Sequence, residues 1–306
     1  MNRNYWIGIG ASLASAFLWS TVFVCGRYLL AGHRIDPVSL SLFRFALGGT
    51  LLLTIAGVTM PRRLLAVRGG ELARLAALGL VGIAGMSVLV FWGQCHTTAI
   101  NSSLIMQLNP FLILFLGVLL GERAGGRQVG SALLALTGCL LVVEVISTDG
   151  FHYDAGRFQG DLLILLSAAC WAVYSVLGRH LVRRHGGLVC TTWAMLFGTV
   201  ELALLYPFCA ASRIIPAVPA DWLMILYLGI FPTGLAFWAW YEGMARIGLP
   251  LLSIMQYLSP AFTVLLAMLL LGERLSPMRW GGIVLILGSI VLAGWVTGPG
   301  HGRPAR

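Results

Sequence analysis

Four long stretches of this chain carry no charged side chain at all. No Asp, Glu, Lys or Arg stands between Arg3 and Arg27, Arg74 and Glu122, Arg246 and Glu273, or Arg279 and Arg303. A helix crosses about 30 Å of hydrocarbon with roughly 20 apolar residues. The run from Arg74 to Glu122 is therefore long enough for two crossings with a turn near His96. Transmembrane β-strands alternate in polarity over about 10 residues, and these runs do not alternate. Composition agrees: 58% of the 306 residues are hydrophobic and 10% charged, against about 25% charged in a soluble domain. That excludes a water-soluble enzyme and a disordered chain.

The pattern predicts an all-α membrane protein with ten spans, at 6–29, 38–58, 74–94, 99–120, 127–147, 160–180, 189–211, 222–243, 249–271 and 278–297. Breakers or charges separate them: Asp36-Pro37, Pro61-Arg62-Arg63, Gly125-Gly126, Gly186-Gly187, and Pro216 to Pro219. The 147–160 connector reads as a loop, and 298–306 as a disordered cytoplasmic tail. No cleavable leader is expected, since the first apolar run continues past Trp19 to Leu30.

All 20 basic residues are arginines and the net charge is +9. They lie in short loops between apolar runs, which argues against nucleic-acid binding and for the positive-inside pattern. With a cytoplasmic N-terminus, Arg3, Arg62, Arg63, Arg68, Arg74, Arg123, Arg127, Arg179, Arg183, Arg184, Arg246, Arg303 and Arg306 fall inside. Arg27, Arg34, Arg157, Arg213, Arg274 and Arg279 fall outside. Both termini are therefore expected in the cytoplasm. The six cysteines are scattered within apolar runs without CxxC spacing and read as buried thiols.

Three motifs recur in order at nearly one offset. Ser15-Ala16-x-x-Trp19 with Gly26-Arg27-x-Leu29 returns as Ser167-Ala168-x-x-Trp171 with Gly178-Arg179-x-Leu181. Ser103, Leu108 and Pro110 return as Ser253, Leu258 and Pro260. Gly121-Glu122-Arg123 returns as Gly272-Glu273-Arg274. Each half is thus a five-helix copy, 6–147 and 160–297. Five is odd, so the second copy starts on the opposite side of the membrane. Inverted repeats meeting near the midplane are a recurring transporter architecture.

The doubled Leu-x-Pro, apolar run and Gly-Glu-Arg series (Leu108-Asn109-Pro110 to Arg123, Leu258-Ser259-Pro260 to Arg274) resembles the EamA permeases of the drug/metabolite transporter superfamily. The resemblance covers about 7 to 297. It implies a ten-helix inner-membrane carrier, an exporter of amino acids or other small metabolites. It also implies that the fifth helix of each half is peripheral, with eight helices around a central cavity. It carries over no substrate motif, so site residues rest on spacing.

Pro110 and Pro260 lie within spans four and nine and are expected to kink them, as hinges or as packing features. Polar and aromatic residues form stripes: Ser103, Gln107 and Pro110; Ser253, Gln256, Tyr257 and Pro260; Ser15 and Trp19; Ser167, Trp171 and Tyr174; Ser87, Phe91 and Gln94; Phe237 and Tyr241. Such faces avoid lipid. They either line a cavity for a small amphipathic solute or glue helices together; for Ser15 and Ser167 glue is the expectation. Arg44, inside span two, either snorkels or pairs with Asp36, or holds a substrate carboxylate. Glu201, deep in span seven, is a proton-coupling site, a ligand for a substrate amine, or a structural hydrogen-bonding group. Glu122 and Glu273 are expected to tie helix ends to neighbouring loop arginines. The expected cavity is Trp19, Arg44, Phe91, Gln94, Ser103, Gln107, Trp171, Tyr174, Glu201, Tyr241, Gln256 and Tyr257.

Asn109-Pro110-Phe111 and Ser259-Pro260-Ala261 resemble aquaporin boxes only weakly, because long apolar runs follow them. No phosphate-binding loop, HExxH or GxSxG occurs, so no cofactor, metal or ATP-driven pump is expected. The expected function is a secondary transporter, an exporter of small metabolites such as amino acids working by alternating access, as a monomer or homodimer with possible proton coupling. The alternatives are a broad-specificity multidrug exporter of the same fold and an integral-membrane enzyme.

Overall fold

The structure is a computed structural model that describes residues 3–121, 126–143, 155–208, 215–240, 242–243, 246 and 258–294. Among these residues no strand occurs, and seven helices are long and apolar enough to cross a membrane. The helices are α1 (Arg3–Ala31), α2 (Pro37–Thr59), α3 (Gly70–His96), α4 (Ala99–Leu119), α5 (Gly126–Val143), α6 (Ala155–His185), α7 (Gly187–Leu205), α8 (Pro219–Trp240), α9 (Leu258–Leu271) and α10 (Pro277–Gly294).

Helix ends follow local chemistry. The Asp36 carboxylate caps α2 by accepting from the Val38 and Ser39 N–H groups at 3.0 and 2.9 Å, with Pro37 in the first turn. Thr98 caps α4 through the Asn101 N–H at 3.1 Å. α6 and α7 meet at Gly186, whose φ of 91° is readily adopted only by glycine. Two expected connectors are helical instead: Pro61–Ala66 forms a short helix, and α6 begins at Ala155. The tail at 298–306 lies outside the described residues.

The polarity is inside out. Leu53, Val58, Leu133, Leu177, Leu204, Leu223, Leu269 and Val284 are exposed, while Ser15, Ser41, Ser87, Ser103, Ser167 and Thr192 are buried. Lipid offers no hydrogen bonds, so buried hydroxyls turn back to their own helices. Ser41 donates to the Pro37 carbonyl and Thr192 to that of Leu188, both at 2.8 Å. Others cross between helices. Ser87 donates to Ser41 at 2.8 Å, and Ser167 to the Met86 carbonyl at 2.9 Å.

Helix packing falls into pairs that exchange when five is added to each helix number, with α11 counted as α1. α3 packs on α6 and α8 on α1; α4 on α6 and α9 on α1; α3 on α7 and α8 on α2. α2 with α7, α4 with α9, and α5 with α10 map onto themselves. Both α3 and α8 contain a π-helical turn, Leu80–Gly85 and Gly229–Leu235. Hydrophobic periodicity gave no sign of either. The turn of α3 holds no proline; that of α8 includes Pro232, which cannot donate to the Leu228 carbonyl. Thr233 Oγ1 donates to that carbonyl instead, at 2.8 Å.

The kinks differ from expectation too. Pro110 is not a bend in the middle of a regular helix. A 3-10 turn, Met106–Leu108, interrupts α4 just ahead of it, and Pro110 sits in the first turn of the continuing segment Asn109–Leu119. There its missing N–H costs little. Pro260 stands at the third described residue of α9.

Candidate functional site

An aromatic cluster lies where α1, α6 and α8 meet. The Trp19 ring centroid is 6.4 Å from that of Trp171, 5.2 Å from Phe237 and 5.4 Å from Trp240. Trp171 is in turn 5.5 Å from Tyr174 and 6.0 Å from Phe237. Trp19 and Trp171 are the two copies of one repeated motif, and they face each other edge to face.

The π turn of α8 connects this cluster to a charge. Trp19 Nε1 donates to the Pro232 carbonyl at 2.9 Å. The adjacent Thr233 Oγ1 accepts from Arg44 Nε at 2.6 Å. π turns inside α-helices recur at functional sites; here the turn presents consecutive residues to α1 and α2. Arg44 is 5% exposed, with its guanidinium carbon 4.8 Å from the Phe45 ring centroid and 5.5 Å from that of Phe91. It therefore lies between α2, α3 and α8 and does not reach for the surface. The Arg44–Asp36 pair, one of the alternatives for this arginine, is not formed: Asp36 is committed to the α2 N-terminus and to Ser39 Oγ at 2.5 Å.

The other predicted positions divide. Phe91 is fully buried beside Arg44. Gln94 is also fully buried, but it binds α1: its Nε2 donates to the Phe23 carbonyl at 3.0 Å, and its main-chain carbonyl accepts from Arg27 Nη1 at 2.6 Å. A Cβ at Gly26 would stand 2.5 Å from Gln94 Oε1, so glycine at position 26 permits this approach. Ser103 is buried and donates to its own helix at Ile100, 2.9 Å away. Gln107 is half-buried, with Nε2 3.5 Å from the Ser103 carbonyl. Tyr174 packs on Gly82 in the π turn of α3, and its hydroxyl is 3.4 Å from Thr191 Oγ1. Glu201 lies near the C-terminal end of α7, not deep within it. It is half-buried, and no hydrogen bond reaches its buried Oε2. No ring contact or hydrogen bond joins it to the cluster among the described residues. Tyr241, Gln256 and Tyr257 lie outside the described residues.

Sequence reading missed Pro232, Thr233 and Trp240. The last continues the Phe237 stripe at the i+3 position and was legible; Thr233 matters only through the π turn.

Two ion pairs complete the polar framework. Arg34 meets Asp221 at 3.1 Å, joining the end of α1 to the start of α8. Arg184 meets Glu71 at 2.8 Å, with His185 at 3.0 Å, joining the end of α6 to the start of α3. Residues 34 and 184, and 71 and 221, each differ by 150. Glu273 departs from expectation. Its carboxylate accepts from the backbone N–H groups of Ala99 at 2.9 Å and Ile100 at 3.1 Å. The helix N-terminus supplies two orphan donors and the positive end of the dipole, which a loop arginine does not. Glu122 lies outside the described residues.

An apolar exterior around a bundle that buries serines, a glutamine and an arginine defines a multi-pass helical membrane protein with a partly polar interior. The chain belongs to the EamA-like transporter family, which matches residues 6–144 and again 158–295. It is similar to the "Probable terminal-alkyne amino-acid exporter" of Streptantibioticus cattleyicolor, 29% identical over 286 residues, covering 93% of this chain and 92% of that one. It is similar to the "Aromatic amino acid exporter YddG" of Ancylobacter novellus, 28% identical over 250 residues, covering 81% and 83%. It is also similar to the "Uncharacterized transporter YyaM" of Bacillus subtilis, 28% identical over 285 residues, covering 91% and 92%. A solved structure titled "Crystal structure of protein" matches with a TM-score of 0.69 and 25% identity, covering 96% of each chain.

Proposed function

We propose that this transporter exports small organic metabolites of the amino-acid type across a bacterial inner membrane, by alternating access of two inverted five-helix repeats. The contact between Trp19 and Trp171 carries the reading. Equivalent residues of a repeat touch only where a local two-fold axis passes between them, so the aromatic cluster lies at the seam of the halves. A carrier that opens to each side in turn needs its site there. The exchanging helix pairs, the two ion pairs spaced by 150 residues and the double family match support the same symmetry. Rings from α1, α6 and α8 suit the apolar body of a solute. Two of the similar proteins are named as amino-acid exporters. Trp19, Trp171 and Tyr174, with Phe237 and Trp240, form the proposed wall, and Pro110, with the turn Met106–Leu108 ahead of it, and Pro260 are the proposed hinges. The apolar runs support ten spans, and the arginine distribution supports placing both termini in the cytoplasm.

Counterflow in proteoliposomes tests the proposal. Purified protein preloaded with unlabelled amino acids should accumulate labelled phenylalanine, leucine or an alkyne-bearing amino acid above empty liposomes. Folded protein that moves none of them overturns the substrate class. Reporter fusions after Arg123 and Arg274 should report opposite sides of the membrane. A shared side overturns the inverted arrangement.

A further inference from the structure

We propose that Arg44 is the anion anchor of the transport site, and that the carried solute is recognised by a carboxylate joined to an apolar body, whether or not it bears an amine. This deepens the carrier reading and rests on it.

The argument begins with charge. A buried guanidinium without a counter-ion is costly, by several kcal/mol even after relaxation. Seven acidic residues are described, and six are engaged elsewhere. Asp36 caps α2, Asp221 holds Arg34, and Glu71 holds Arg184 and His185. Asp161 accepts from Thr97 and Asn101, Glu242 pairs with Arg246, and Glu273 caps α4. The seventh, Glu201, makes no ion pair with Arg44 among the described residues. Arg44 is thus 5% exposed with its charge unmatched by any described carboxylate.

Geometry then selects the ligand. Thr233 takes Nε, and Phe45 and Phe91 flank the guanidinium. The two terminal amino groups make no hydrogen bond to described residues. They remain as a planar fork, the shape that grips a carboxylate through two parallel bonds. Pro232 is tied to Trp19 and the next residue, Thr233, to Arg44, so one turn of α8 links the guanidinium to the rings that would take an apolar body. The position related to Arg44 by an offset of 150 is Ala194, fully buried and uncharged. The anchor therefore breaks the symmetry of the halves and binds one carboxylate per chain.

The test uses the full chain in lipid nanodiscs with three probes: 3-phenylpropionate, L-phenylalanine and phenethylamine. Binding is read from quenching of tryptophan fluorescence and from thermal stabilisation. 3-Phenylpropionate and phenylalanine should saturate near one per chain, with phenethylamine at least about tenfold weaker. Arg44→Gln should weaken both carboxylates at least about tenfold and leave phenethylamine unchanged, with Arg44→Lys intermediate. Thr233→Val removes the other bond of the guanidinium and should retain the preference for carboxylates. Equal binding of phenethylamine and 3-phenylpropionate by the unmodified protein overturns the proposal, as does no saturable binding of any probe. A folded Arg44→Gln protein that keeps the preference overturns it as well. The wild-type comparison decides the matter if Arg44→Gln fails to fold. Carboxylate-selective binding without counterflow would sink the carrier reading and leave this one standing. Counterflow of phenethylamine as fast as phenylalanine would do the reverse.

Discussion

Valine in place of Gly79 is expected to prevent recovery of monodisperse protein, or to lower its stability in detergent by on the order of 3 kcal/mol or more. A Cβ at this position would stand 2.6 Å from the Ala194 carbonyl oxygen and 2.9 Å from the Gly198 nitrogen. Both are backbone atoms of α7, so no side-chain rotation relieves the clash, and the two helices must separate. Separation propagates, because Gly198 in turn receives Ile83 at the same crossing, and Gly82, three residues along α3, receives Tyr174 of α6. α2 and α8 meet in the same way, with Gly48 against Thr233 and Gly229 against Leu47. Gly57→Val is the control, since nothing lies within 4 Å of a Cβ there. Thermal unfolding and size-exclusion profiles of the two variants make the comparison. A Gly79→Val protein as stable as Gly57→Val would mean that α3 and α7 do not cross this closely.

Glu273→Ala should be the second largest loss, about 1–3 kcal/mol. It strips the carboxylate from two N–H groups at the start of α4 and removes a negative charge from the positive end of that helix. Glu273→Gln keeps one acceptor and should fall between. The contact joins residues 174 apart in sequence, linking the α9–α10 connection to α4. The loss should therefore appear locally as faster hydrogen exchange at Ala99 and Ile100, along with a lower unfolding temperature. Unchanged protection at those two amides would show that another group caps the helix.

The carboxylate case shows where reading from sequence stops. Gly-Glu-Arg placed Glu273 at a helix end, and that is where it lies. Its partner was assigned to a nearby arginine because opposite charges are the only complementarity visible in a string. A helix N-terminus becomes an electrostatic partner only after α4 has folded and been brought alongside. Asp36 followed the same logic. It neighbours Arg44 on α2, but the local donors at Val38 and Ser39 hold both of its oxygens together with Ser39 Oγ. Gln94 belonged to a credible inward stripe, yet inward for α3 at that level means the surface of α1 at Gly26.

Apolar run length, the spacing of breakers and the internal repeat were enough to specify a helical membrane protein and to pick out Trp19, Trp171 and Arg44. Those signals are local or periodic, and solvation by lipid enforces them on any chain of this composition. Tertiary structure alone decided that Trp19 and Trp171 touch, that the π turn of α8 sets Thr233 against Arg44, and that Arg44 is left without a described counter-charge. Each depends on the axial register between helices distant in sequence. That register is set by small residues at the crossings, where a shift of one turn would give every buried polar group a different partner.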